Sequence, residues 1–101
     1  MSDGPVTDRM AVPVTATVCI SNKRGLHARA SAKFCALANS WDAVVRVSKD
    51  GVEVGGCSIM GLLILGASKG SEISITATGV QAEEAVSTLV RLVNEKFGEE
   101  D

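Results

Sequence analysis

Aromatic residues are almost absent from this 101-residue chain, which has one tryptophan, two phenylalanines and no tyrosine. Hydrophobic residues still make up 46% and charged residues 22%, so a globular core must be built from valine, isoleucine, leucine and alanine. Neither sign of charge predominates, because the formal net charge is only −2. The balanced charge and the scarcity of aromatics argue against an RNA-binding domain, which would present a basic surface and stacking rings.

Long apolar runs are also missing. The longest, "IMGLLILGA", is too short to span a bilayer, and "MSDGPVTDRMAV" lacks the features of a signal peptide. Three widely spaced cysteines, Cys19, Cys35 and Cys57, fit neither a disulfide framework nor a zinc site, so we expect free thiols. The sequence therefore predicts a cytoplasmic monomer with no metal, no cofactor, and neither membrane nor nucleic acid as a partner.

The hydrophobic pattern predicts a single domain. Residues 1–12 are expected to form a flexible N-terminal extension, residues 13–98 the domain, and residues 99–101 an acidic C-terminal tail. In chain order, the pattern predicts strand 14–20, helix 27–39, strand 43–49, strand 52–54, helix 58–65, strand 71–79 and helix 81–97. Each strand has one polar face, which predicts an α+β open-faced β-sandwich: a four-stranded antiparallel sheet with three helices on one face, ordered β-α-β-β-α-β-α.

The only histidine, His27, lies in "NKRGLHARASAKF" at the start of a predicted helix. The first backbone N–H groups of a helix have no intrahelical partner and favour anions. Arg29 could add guanidinium donors that match phosphate oxygens, and a neutral imidazole is a nucleophile near pH 7. The segment is therefore a candidate phosphoryl-binding site, although on spacing alone a histidine at a helix boundary beside a solvated basic patch accounts for it at least as well.

A second segment, "SIMGLLILG", is apolar on nearly all sides. Ser58 is a suitable N-cap and Gly66 a suitable C-terminal residue for a short helix. Helical spacing turns Leu62 and Leu65 toward the core. The residues expected to point outward are Ile59, Met60, Leu63 and Ile64. Exposed apolar clusters of this kind typically mark a surface that binds a partner.

Both segments resemble a known family. "GLHARASAKF" is similar to the active-site segment of the phosphocarrier protein HPr family of the bacterial phosphoenolpyruvate-dependent phosphotransferase system. "CSIMGLLILGASKGSEISITATG" is similar to the family's regulatory serine segment. The resemblance covers roughly residues 13–97 and is closer to the proteobacterial, nitrogen-related NPr branch than to enteric sugar-transport HPr.

The resemblance implies a phosphoryl carrier rather than a stand-alone enzyme. His27 would accept a phosphoryl group on Nδ1 from enzyme I, whose donor is phosphoenolpyruvate, and pass it to a sugar- or nitrogen-type enzyme IIA. Arg29 would neutralise the phosphoryl group, and Ser58 would be phosphorylated from ATP by HPr kinase/phosphorylase in organisms that carry it. The outward residues of the short helix, together with Arg24, would bind the partners.

Two positions depart from the family pattern. Ala30 replaces a frequent proline, which adds a backbone N–H donor and should be tolerated. Cys57 replaces a frequent lysine, which weakens the case for recognition by the kinase but not for the histidine site. The alternative function is a non-catalytic regulatory binding module that uses the apolar patch around Ser58, and the presence of His27 with Arg29 argues against it.

Overall fold

A computed structural model of the chain describes residues 12–100, so the predicted N-terminal extension lies almost wholly outside the described residues. The elements are β1 (Val14–Cys19), α1 (Ala28–Ala38), β2 (Val44–Lys49), β3 (Val52–Gly55), α2 (Ile59–Leu65), β4 (Glu72–Thr78), α3 (Ala82–Asn94) and a 3₁₀ helix (Lys96–Gly98). The predicted order β-α-β-β-α-β-α is confirmed.

The four strands form one antiparallel sheet in the order β1-β4-β2-β3. Burial alternates along β4, where Ile73 and Ile75 are buried and Ser74 between them is partly exposed. On the polar face, hydroxyl groups pair across strands, as between Thr15 and Thr76 at 3.1 Å. One sheet face thus belongs to the core and the other stays open, which confirms the predicted open-faced sandwich.

The core between the sheet and the helices is mostly aliphatic, as the composition predicts. Phe34 of α1, Leu62 of α2 and Leu89 of α3 are each completely buried. These three side chains bring all three helices into a single hydrophobic cluster with the inner face of the sheet. Within residues 12–100, no helix has both the length and the apolar character needed to cross a membrane.

The last helix is shorter than predicted. Its apolar repeat runs through Phe97, but α3 ends at Asn94, and Lys96 and Phe97 have φ angles of 58° and 56°. The turn brings Phe97 into the core, where it is 1% exposed, and the Lys33 ammonium donates to the Phe97 carbonyl at 2.7 Å. The repeat therefore predicts the burial of Phe97 but not its left-handed backbone, which directs the following residues toward the start of α1.

Candidate functional site

His27 is the N-cap residue of α1, with extended backbone angles of φ −74° and ψ −179°. Its side chain makes no capping hydrogen bond and is 15% exposed. The ring instead contacts the Oε2 atom of Glu99 through Nε2. Within the described part of the chain, Nδ1 has no hydrogen-bond partner. The structure therefore engages one nitrogen of the imidazole and leaves the other available.

The loop before His27 is fixed by close contact with the segment that follows α2. The Leu26 N–H donates to the Ala67 carbonyl at 2.9 Å. Gly25 has a φ of 66°, and a Cβ atom there would lie 2.5 Å from the Ala67 oxygen. Only glycine combines this conformation with such an approach. The loop and the C-terminal end of α2 are thus neighbours.

Asn22 links this loop to Glu99. Its side chain is fully buried, and Nδ2 donates to the Gly25 carbonyl at 2.8 Å and to Glu99 Oε1 at 3.0 Å. Both partners are acceptors, so the amide orientation is determined by the contacts. The Asn22 Oδ1 atom has no partner within residues 12–100, and burying an unsatisfied acceptor costs about 1–3 kcal/mol. The two Nδ2 hydrogen bonds hold the side chain in place against that cost.

Glu99 is ionised in this environment. The hydrogen bond with His27 is the main cause that lowers the pKa of its carboxyl group, followed by the hydrogen bond from Asn22 and the charges of His27 and Arg24. Burial acts in the opposite direction but does not prevail. The sequence predicts Glu99 in the acidic tail and leaves Asn22 between the first predicted strand and the first predicted helix. No local pattern connects either residue with His27, from which Glu99 is 72 positions away.

The two arginines of interest lie at the same end of α1. Arg24 precedes His27 in the loop, Arg29 follows it in the first turn, and both side chains are exposed. Among the residues the structure describes, Arg29 makes no ion pair. It is therefore accessible to an anion that approaches the helix start, and its role in neutralising a phosphoryl group stays a prediction.

Ser58 caps α2, and its Oγ atom accepts a hydrogen bond from the Gly61 N–H at 3.0 Å. Leu62 and Leu65 are buried as predicted. The outward residues form the apolar patch: Ile59, Met60, Leu63 and Ile64, which are 42%, 69%, 39% and 69% exposed. Their exposure agrees with the sequence pattern, and their part in binding stays a prediction.

The three cysteines are free thiols, as predicted. Cys57 is exposed as a residue, but partial desolvation of its thiol is the main cause that raises the pKa of that thiol, and Cys35 nearby raises it further. The thiol beside Ser58 is therefore protonated at neutral pH. Within residues 12–100, no cluster of side chains could hold a metal ion.

Comparison with known proteins identifies relatives of the whole fold. Residues 14–95 match the family model described as "PTS HPr component phosphorylation site". Phosphocarrier protein HPr of Neisseria meningitidis serogroup A is 46% identical over 79% of this chain and 90% of its own length. Phosphocarrier protein NPr of Escherichia coli K12 is 41% identical, covering 86% and 98%. The crystal structure of HPr-C-His from Thermoanaerobacter tengcongensis is similar with a TM-score of 0.84 and 42% identity, covering 87% and 99%.

Proposed function

The chain belongs to the HPr phosphocarrier family of the phosphotransferase system, and from this premise we propose that His27 accepts a phosphoryl group from enzyme I and donates it to an enzyme IIA-type protein. One observation carries the proposal: His27 is held at the start of α1 with one ring nitrogen engaged and Nδ1 available. That arrangement suits a nucleophile that must attack phosphorus without first losing a proton.

The transfer step is a displacement at phosphorus. The Nδ1 lone pair of His27 forms the new P–N bond while the bond between phosphorus and the donor atom of phosphorylated enzyme I breaks, and the electron pair of that bond stays on the donor atom. The negative phosphoryl oxygens would meet the N-terminus of α1 and the Arg29 guanidinium, both of which favour negative charge. The second transfer, to enzyme IIA, is the same displacement with His27 as the donor.

A labelling experiment tests the proposal. The protein is incubated with phosphoenolpyruvate, Mg²⁺ and a catalytic amount of enzyme I, and the product is analysed by mass spectrometry. We expect one added phosphoryl group that is labile in acid and stable in alkali, and its discharge when either a sugar-type or a nitrogen-type enzyme IIA is added. Failure to acquire any phosphoryl group would favour the alternative of a non-catalytic binding module that uses the apolar patch.

The apolar patch is the proposed docking surface for enzyme I and enzyme IIA, together with Arg24. It lies beside the active-site loop, because the segment directly after α2 hydrogen-bonds Leu26 through Ala67. Among residues 12–100, Met60 and Ile64 are left 69% exposed, and an exposed apolar cluster of this kind is typical of a surface that binds a partner. A partner seated here could reach His27 without rearrangement of the fold.

Ile64→Glu should slow phosphoryl transfer from enzyme I by at least about tenfold, because a charge inside an apolar interface is desolvated without a partner. The measurement is the initial rate of phosphorylation at limiting protein concentration. Val44→Glu is the matched control, since Val44 is 63% exposed but lies on the open sheet face. Equal rates for the two variants would contradict a docking role for α2.

Regulation through Ser58 is a separate proposal that follows from the family segment. Ser58→Asp keeps an N-cap side chain and adds a negative charge beside the patch, whereas Ser58→Ala removes the cap, which costs about 1 kcal/mol, and adds none. We expect Ser58→Asp to slow transfer from enzyme I about tenfold or more and Ser58→Ala to remain close to the unmodified protein. If the alanine variant slowed as much as the aspartate variant, the effect would lie in the cap and not in the charge.

Phosphorylation of Ser58 by the kinase can be tested directly. HPr kinase/phosphorylase and ATP should add an acid-stable phosphoryl group to the protein and none to Ser58→Ala. Cys57, which stands where relatives often have lysine, is exposed and adjacent to Ser58. If the kinase leaves the unmodified sequence unphosphorylated but phosphorylates the Cys57→Lys variant, then Cys57 is the residue that prevents recognition by the kinase.

A further inference from the structure

The chain reversal after α3 carries an acidic side chain back to His27. Phe97 is buried in the core and its carbonyl is bound by Lys33, so the backbone that leads to Glu99 is anchored two residues earlier. The Glu99 side chain is only 16% exposed. It is therefore a fixed part of the site and not a solvated tail residue.

Each of the two carboxylate oxygens of Glu99 contacts a side chain of the site. Oε1 accepts from the buried Asn22 amide at 3.0 Å, and Oε2 contacts His27 Nε2. The Asn22 amide is itself oriented by the Gly25 carbonyl, which it binds through the same nitrogen. The carboxylate is thus held in one orientation against one particular nitrogen of the ring.

An ionised carboxylate can only accept hydrogen bonds, so the His27 nitrogen that faces it must carry the hydrogen. In a neutral imidazole the other nitrogen then has the free lone pair. We propose that Glu99 is a positioning residue that holds the Nε2–H tautomer of His27 and thereby makes Nδ1 the nitrogen that bears the phosphoryl group. The role rests on the proposed function, but the tautomer itself does not.

The Glu99 carboxylate would also stabilise the phosphorylated form of His27, whose ring is positively charged. When Nδ1 forms its bond to phosphorus, Nε2 keeps its hydrogen and the ring gains positive charge, while the electron pair of the broken bond between phosphorus and the donor stays on the donor. Glu99 would compensate the charge on the acceptor ring through the hydrogen bond that it already makes. Of the cations nearby, the charge of Arg24 acts on Glu99 from the loop, and Lys33 of α1 donates to the Phe97 carbonyl.

The tautomer can be observed without any transfer reaction. His27 is the only histidine in the sequence, so the ring nitrogens of ¹⁵N-histidine-labelled full-length protein give one set of signals. Long-range ¹H–¹⁵N spectra at a pH where the ring is neutral should show the Nε2–H form in the unmodified protein. Glu99→Ala should shift both nitrogens toward the averaged values of a tautomer mixture, and Glu99→Gln, whose amide oxygen can still accept, should restore much of the original pattern.

Glu100→Ala is the matched control, because it removes the same charge from the next position, which is exposed and makes no contact with the ring. It should leave the nitrogen shifts unchanged. An unmodified protein in the Nδ1–H form, or a Glu99→Ala variant with unchanged shifts, overturns the proposal.

Phosphoryl transfer gives a second, independent readout. Glu99→Ala should slow acceptance from enzyme I by at least about tenfold, the effect of losing one hydrogen bond to a charged group, and Glu100→Ala should not. A label that NMR places on Nε2 overturns the positioning role even if transfer occurs. If the unmodified protein accepts no phosphoryl group, the proposed function fails, while the tautomer measurements still decide whether Glu99 holds the Nε2–H form of His27.

Discussion

His27→Ala is expected to abolish phosphoryl acceptance from enzyme I, leaving only the background of a reaction without enzyme I. The chain has no other histidine, and alanine offers no lone pair to phosphorus. Stability should change little, because His27 makes no capping hydrogen bond and is not part of the hydrophobic core. The loss of its contact with Glu99 should cost about 1 kcal/mol. Phosphoryl content by mass spectrometry and unfolding in urea measure the two effects separately.

Arg29→Ala provides the comparison for this result. Its side chain is exposed and lies in the same helical turn, so its removal should reduce the rate without abolishing the product. Acid-labile phosphate that persisted in His27→Ala would show that another residue accepts the group. In that event the site described around α1 would not be the phosphoryl acceptor.

Gly25→Ala is expected to destabilise the protein by about 2–4 kcal/mol and to reduce phosphoryl acceptance strongly. The added Cβ would meet backbone atoms, at 2.5 Å from the Ala67 oxygen and 2.9 Å from the Ser68 Cα, and backbone cannot yield as a flexible side chain can. The loop would have to move away from the segment after α2, breaking the bond from Leu26 to Ala67. Urea unfolding and the rate of labelling by enzyme I test the two consequences.

Gly51→Ala is the control that separates the cost of a left-handed backbone from the cost of the steric contact expected in Gly25→Ala. Gly51 also has a left-handed φ, of 84°, but no atom lies within 4 Å of a Cβ built there. That variant should lose only about 1 kcal/mol, the cost of placing alanine in this conformation, and should accept phosphate normally. If both variants were destabilised equally, the close approach of the loop to Ala67 would have no energetic importance.

The strands and helices could be predicted because burial in this fold follows simple periods. Alternation in β4 and the helical repeat of α3 identify the core faces directly. The end of α3 could not be predicted in this way. Phe97 lies one turn beyond Val93 and continues the apolar repeat, yet it reaches the core from a backbone with positive φ, which non-glycine residues rarely adopt.

Some residues of the candidate site could likewise be predicted from the sequence, and others could not. His27, Arg29, Ser58 and the apolar patch stand out because each lies at a helix boundary or on a helix face, where local spacing carries information. Glu99 and Asn22 do not, because their meeting with His27 depends on the chain reversal and on the packing of Phe97. A carboxylate next to other acidic residues looks like a solvated tail until the fold places it against the ring.

The strand order has a consequence for how the protein is made. Within residues 12–100, β1 lies at the edge of the sheet and its only strand partner is β4, which ends at Thr78. Since a ribosome releases the N-terminal part first, β1 has no strand to pair with until most of the chain has emerged. The histidine segment that follows β1 therefore gains its native surroundings only late in translation, and incomplete nascent chains would present enzyme I with no finished site.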